Sequence, residues 1–126
     1  MKIGPVDEYH DTASPYLEVS QTYSYLISQL VAREIGFITL SRRGYETVPR
    51  EAGTELPPGY EPLHEFGDMI KFPGSKTKLM VNYEYTVEEA ERLIREDKID
   101  LVQIGRPFIP NPVSWCKCTW LRTLIG

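Results

Sequence analysis

The stretch at residues 100–112, DLVQIGRPFIPNP, decides the fold. Its apolar first half predicts a buried β-strand that stops at Gly105, with Arg106 directly after it. In parallel α/β folds, ligands bind at the carboxyl ends of the strands. Glycine lets a phosphate group approach the backbone, and arginine offers a planar fork of donors for the phosphate oxygens. The stretch therefore predicts a phosphate-binding position at a strand end.

The segment before this strand predicts an amphipathic helix that begins at Thr86. Thr86 and Glu89 are spaced as a capping box, in which each side chain satisfies a free backbone N–H of the other residue. Two ion pairs at i,i+4 spacing are expected on the outer face, Glu88–Arg92 and Glu91–Arg95. We interpret these carboxylates as a solvated surface rather than as an acid/base pair.

The rest of the chain alternates between strand and helix patterns. We predict a strand remnant at 2–5, a helix at 16–34 that Gly36 ends, a strand at 37–40, a loop at 41–60, a helix at 62–71 and a strand at 78–81 that ends at Asn82. Alternating strands and helices of this length indicate an α/β fold, with a parallel sheet and helices outside it.

Length and composition exclude several classes of protein. The 126 residues suit one domain, and a net charge of −4 argues against nucleic acid as a partner. No apolar run approaches the roughly 20 residues of a membrane helix, so we expect no membrane partner. The N-terminus lacks the apolar core of a signal peptide, which predicts a cytoplasmic protein.

Few side chains are candidates for catalysis or metal binding. Cys116 and Cys118 are one residue apart and have no nearby histidine, which favours free thiols over a disulfide or a zinc site. His10 is interpreted as a solvated loop histidine, since no nucleophile accompanies it, and His64 as exposed or as a helix-capping residue. We assign no catalytic residue and no metal ligand.

Two motifs together resemble the C-terminal half of the Old Yellow Enzyme family. They are N-x-x-Y-T-x-E-E-A at 82–90 and D-L-V-x-x-G-R-P-F-I-x-N-P at 100–112. Members of that family are FMN-dependent, NAD(P)H-using ene-reductases built on a (β/α)₈ TIM barrel. The resemblance implies a partial TIM barrel made of roughly the last three to four βα units. Residues 1–112 would form the C-terminal half of the FMN-binding domain, and 113–126 a divergent tail.

The resemblance also implies a cofactor site. The phosphate of FMN would be bound by Gly105 and Arg106, together with backbone N–H groups at the end of the preceding strand. Those N–H groups would belong to Asn82, Tyr83 and Glu84. Lys2 would replace the arginine that lies against the pyrimidine edge of the flavin. The family has two glycines where this chain has Tyr83 and Glu84.

The activity that follows from the resemblance is reduction of an activated alkene of the enone type. In a complete member, FMN takes hydride from NAD(P)H and passes it to the alkene. The strands that carry the substrate-binding and proton-donating residues of the family have no counterpart here. An alternative is a non-catalytic remnant, a gene-model fragment or an interaction subunit that needs a partner. Exposed sheet edges would then allow self-association. A third is an unrelated α/β phosphate-binding module.

Overall fold

Four parallel strands and three helices alternate along the chain. The structure is a computed structural model that describes residues 1–6, 14–42 and 55–105. Its elements are β1 (Lys2–Ile3), α1 (Tyr16–Ala32), β2 (Phe37–Ser41), α2 (Pro62–Ile70), β3 (Lys78–Asn82), α3 (Val87–Arg95) and β4 (Leu101–Gln103). The strands form one sheet in the order β1-β2-β3-β4, and every neighbouring pair is parallel. The predicted parallel α/β fold is confirmed.

One face of the sheet packs against the helices and forms the core. Alternate residues of the two central strands point to this face and are fully buried: Ile38, Leu40, Leu79 and Val81. They join Ile27 of α1 with Phe66 and Ile70 of α2 in a single apolar cluster. The buried alternate residues of the strands and the apolar faces of the helices therefore pack together in one layer.

The opposite face of the sheet is mixed in polarity. Lys2, Thr39, Met80 and Leu101 lie side by side across the four strands. The Thr39 hydroxyl lies 3.5 Å from the Met80 sulfur. In a closed barrel this face would line the interior.

The first helix ends earlier than its sequence predicts. It ends at Ala32, and the residue with left-handed backbone is Glu34, with φ 53°, instead of Gly36. The N–H of Glu34 donates to Val31 O at 2.9 Å, so the chain turns before the glycine. After this turn, Ile35 packs against the core before β2 begins.

The prediction that the strand at 101–104 is buried is wrong for the described residues. Leu101 and Gln103 are exposed, and Val102 is half-buried. Leu101 and Gln103 point to the face away from the helices, and β4 pairs with β3 alone among the described strands.

The α3 helix begins as predicted and differs on its outer face. The Thr86 hydroxyl accepts the Glu89 N–H at 3.1 Å. The Glu91–Arg95 pair forms at 3.3 Å. Arg92 pairs with Glu96 at 3.4 Å rather than with Glu88, which is equally allowed by helical spacing. None of the helices in the described ranges has the length and apolar character needed to cross a bilayer.

Candidate functional site at the carboxyl edge of the sheet

The carboxyl ends of β2, β3 and β4 bring most of the predicted site residues to one edge. Ser41, Asn82 and Gln103 lie side by side there, and Gly105 follows two residues later. A Cβ added to Gly105 would meet nothing within 4 Å, so its backbone is open to approach.

The other two predicted site residues are not among those that meet at this edge in the described part of the chain. Lys2 is exposed and lies beside Thr39, on a strand that does not neighbour β3. Arg106 lies outside the described residues.

A left-handed turn follows β3. Tyr83 has φ 75° and Glu84 has φ 58°. Such a backbone costs a residue with a side chain about 1–2 kcal/mol, whereas glycine adopts it freely. These are the positions at which the resembled family has its two glycines. The turn thus keeps a backbone suited to glycine while carrying side chains.

Asn82 lies at the start of this turn with one unsatisfied atom. The residue is 9% exposed, and its side-chain Oδ1 has no hydrogen-bond partner. Its backbone oxygen accepts the N–H of Arg42 at 3.1 Å. Because an unpaired buried acceptor is costly, this oxygen is suited to accept an N–H or O–H of a ligand.

Arg42, Glu61, Tyr85 and Glu89 form an ionic cluster beside the turn, called here the Arg42 cluster. Both terminal nitrogens of Arg42 donate to the Glu89 carboxylate, one of them at 3.0 Å. Its Nε lies 2.8 Å from a Glu61 oxygen as an ion pair without hydrogen-bond alignment. The guanidinium also stacks 3.6 Å from the centre of the Tyr85 ring.

The cluster fixes the charges of its members. The hydrogen bond to Glu89 raises the pKa of Arg42 despite its partial burial, and the same bond lowers the pKa of Glu89. Burial, then the charge of Glu61, raises the pKa of Tyr85, whose hydroxyl donates to Glu61 at 3.1 Å. Two carboxylates therefore neutralise the arginine at this edge, which leaves it little attraction for a phosphate group.

The sequence gives no local signal for the Arg42 cluster. Arg42 and Glu89 are 47 residues apart, and the sequence predicts only a loop at 41–60. Only the parallel order of β2 and β3 brings the start of α3 next to the end of β2.

A groove of about 450 Å³ runs between α2 and α3, on the outer side of the sheet. Its polar lining mixes acidic and basic side chains: Arg42, Glu61, His64, Asp68, Glu89, Arg92, Glu96 and Lys98. His64 is exposed there, as predicted. No group of three or more potential metal ligands occurs within residues 1–6, 14–42 and 55–105. His10, Cys116 and Cys118 lie outside those ranges.

The amino edge of the sheet carries a second ionic group, centred on Asp100. One carboxylate oxygen accepts the Leu79 N–H at 2.8 Å, and the other accepts Lys71 at 2.8 Å and lies 3.4 Å from Lys78. Burial disfavours ionisation, but these donors outweigh it and lower the pKa of Asp100. Asp100 thus ties β4 and α2 to the start of β3.

Comparison with known proteins supports the fold. No protein-family model and no curated protein matches the chain. Among solved structures, the chain is similar to the old yellow enzyme from Trypanosoma cruzi, with a TM-score of 0.63 and 18% sequence identity. The match covers 94% of this chain and 28% of that one, so the chain spans little more than a quarter of that enzyme. The predicted part of a TIM barrel agrees with this likeness.

Proposed function

We propose that this chain supplies the phosphate-binding end of a flavin site in an oxidoreductase of the Old Yellow Enzyme type. The observation that carries the proposal is the left-handed turn at Tyr83 and Glu84. It lies at the carboxyl end of β3, where the resembled family binds the FMN phosphate through backbone N–H groups. A non-glycine pair held at positive φ is a costly feature of the kind found at functional sites.

The backbone of this edge suits a phosphate group better than its charges do. Gly105 leaves open space, and the side-chain Oδ1 of Asn82 is free to accept a hydrogen bond from the ribityl chain or the ring of a flavin. Against this, Glu84 is exposed at the turn and repels an anion, and the Arg42 cluster has two carboxylates for one cation, so its net charge is negative. The guanidinium in the proposal is that of Arg106, with Lys2 placed nearer the ring. We therefore expect weak binding of FMN.

The reaction would belong to the complete flavin site. FMN supplies hydride transfer from NAD(P)H to an enone-type alkene, and the protein binds and orients the reactants. No side chain of this chain is assigned to hold the substrate or to donate a proton. We expect the chain on its own to bind flavin without reducing alkenes.

A second candidate function is that of a non-catalytic interaction subunit. The observation favouring it is the exposure of large apolar side chains at β4 and on the mixed face of the sheet, including Phe37 and Leu101. Apolar surface of this kind marks sites of protein contact.

Titration of flavin fluorescence with FMN and with riboflavin tests the flavin proposal. The two ligands differ in the phosphate alone, so we expect FMN to bind more tightly. Equal affinity for both ligands, or binding of neither, would overturn the proposal.

Removing the negative charge at the turn sharpens this titration. Replacing Glu84 with Gln should strengthen FMN binding by about fivefold, because a like charge near a phosphate costs about 1 kcal/mol in water. Riboflavin binding should not change. The matched control is Glu88→Gln, which removes the same charge from the exposed first turn of α3. An equal gain in both variants would mean that overall charge, and not this turn, attracts the ligand.

A further inference from the structure

The described sheet has two unpaired edges. The strands follow one another in chain order, and no described strand lies beyond β1 or β4. An open sheet edge presents unpaired N–H and C=O groups to any strand that can approach it.

Alternate peptide groups of β4 point away from β3, toward the open edge. The Asp100 N–H donates to Leu79 O, which fixes the direction of alternate peptide groups. Successive peptide groups of a strand point to opposite sides, so Val102 faces β3 while Leu101 and Gln103 face the open edge.

The β1 edge is built in the same way. The Met1 oxygen accepts the Thr39 N–H at 2.7 Å, so Met1 and Ile3 face β2. The peptide groups of Lys2 then face the open edge. Each copy of the chain thus has one open edge at β1 and one at β4, and these two strands run in the same direction.

Apolar exposure accompanies these edges. Met1 lies beside β1, and Leu101 and Ile104 lie on and just after β4, and all three are exposed. Phe37 is exposed at the start of β2, in register with Lys78 on the face away from the buried core positions. A monomer of this sheet would leave all four in water.

We propose that two copies of this chain pair edge to edge and close an eight-stranded parallel barrel about a two-fold axis. In this dimer β4 of each copy adds to β1 of the other. The four strands in the described part are half of the eight that close a barrel of this type. A second copy brings one β1 edge and one β4 edge, so both edges of each copy are satisfied by two identical contacts. This inference is independent of flavin binding.

Light scattering coupled to size-exclusion chromatography tests the stoichiometry. We expect a single species of twice 14.5 kDa, with a helix and strand content by circular dichroism that matches the structure. A folded species of 14.5 kDa, a ladder of larger assemblies or an unfolded chain would each overturn the closed dimer.

A matched pair of leucine variants tests which surface is used. Leu101 is 45% exposed on β4, and Leu17 is 65% exposed on α1. Leu101→Lys should weaken the dimer by about tenfold or more, because a lysine on an edge strand opposes pairing. Leu17→Lys should leave the dimer unchanged. Equal weakening in both variants, or none in Leu101→Lys, would overturn the proposed edge contact.

Amide hydrogen exchange gives a readout that does not depend on a variant. In the dimer the amides of Leu101 and Gln103 should exchange slowly, as slowly as that of Val102, which faces β3 in either state. Fast exchange at Leu101 and Gln103, with Val102 protected, would contradict edge pairing.

Discussion

The two ends of the same sheet use ionic groups in different ways. At the amino edge, Asp100 satisfies a backbone N–H and two lysines, and the geometry ties three elements together. At the carboxyl edge, the Arg42 cluster lies beside a left-handed turn and beside Asn82, whose Oδ1 has no partner. The ionic group at the amino edge therefore stabilises the fold. At the carboxyl edge, two consecutive left-handed residues lie next to a free amide oxygen, whereas the left-handed residues at the amino edge, Glu34 and Asp97, are isolated.

Asp100 should give the largest stability effect if the amino edge holds the sheet. Asp100→Asn should lower the free energy of unfolding by about 2–3 kcal/mol, because it removes the less exposed carboxylate of partly buried Lys71 and leaves that lysine with the exposed Asp97 alone. Urea denaturation measures the loss.

The control is Asp97→Asn, which removes another carboxylate bound to the same Lys71. Asp97 is 90% exposed and Asp100 is 16% exposed. We expect a loss within about 0.5 kcal/mol for Asp97→Asn, since exposed ion pairs contribute little. Similar losses in the two variants would show that Asp100 has no special role.

Removing Arg42 should cost somewhat less. Arg42→Ala should destabilise the fold by about 2 kcal/mol, because it leaves Glu61 and Glu89 close together without a cation. Arg42→Lys should recover part of this loss, since it keeps the charge and loses the fork that binds Glu89. Thermal unfolding compares the three proteins. A fully stable Arg42→Ala variant would mean that the cluster contributes no stability.

Acid should destabilise the fold at both edges of the sheet, through Asp100 and Glu89. The loss should be smaller than in the variants above, because water partly screens both carboxylates. The pKa values of Asp100 and Glu89 are lowered in the folded protein from ordinary values of 3.8 and 4.5. A lowered folded-state pKa stabilises the fold above the ordinary value, and the contribution is lost as the pH falls through the folded-state pKa. Stability should thus begin to fall below about pH 4.5. In Asp100→Asn the fall should be shallower, and an unchanged slope would contradict the assignment.

The smallest expected stability effect has the opposite sign. Glu84→Gly should stabilise the protein by about 0.5–1 kcal/mol, because glycine adopts a positive φ without strain. The greater freedom of glycine in the unfolded chain offsets part of this gain. The control Glu88→Gly, in the first turn of α3, should instead destabilise it by up to about 1 kcal/mol. Melting temperatures that move in the same direction for both variants would rule out strain at Glu84.

Local signals in the sequence predicted the elements well. The apolar stripe of α1, the strand at 78–81 and the Thr86 cap all involve neighbours within a few residues, and the structure has each of them. The parallel order followed from the alternation of these elements.

Features that depend on distant residues were missed. The Arg42 cluster joins segments 19 to 47 residues apart, and the exposure of Leu101 depends on which strand lies beyond β4. The turn at Tyr83 and Glu84 shows no glycine, so its backbone was visible only through the resemblance. The choice of Glu96 over Glu88 by Arg92 depends on side-chain conformations that spacing leaves open.

The most direct test of the flavin-phosphate site is an NMR titration of the isotope-labelled chain with FMN. The site predicts that the amides of Tyr83, Glu84 and Gly105, at the carboxyl edge, shift with increasing FMN, while those of Leu79 and Asp100, at the amino edge, do not. Shifts confined to the amino edge, or no shifts at all, would contradict it.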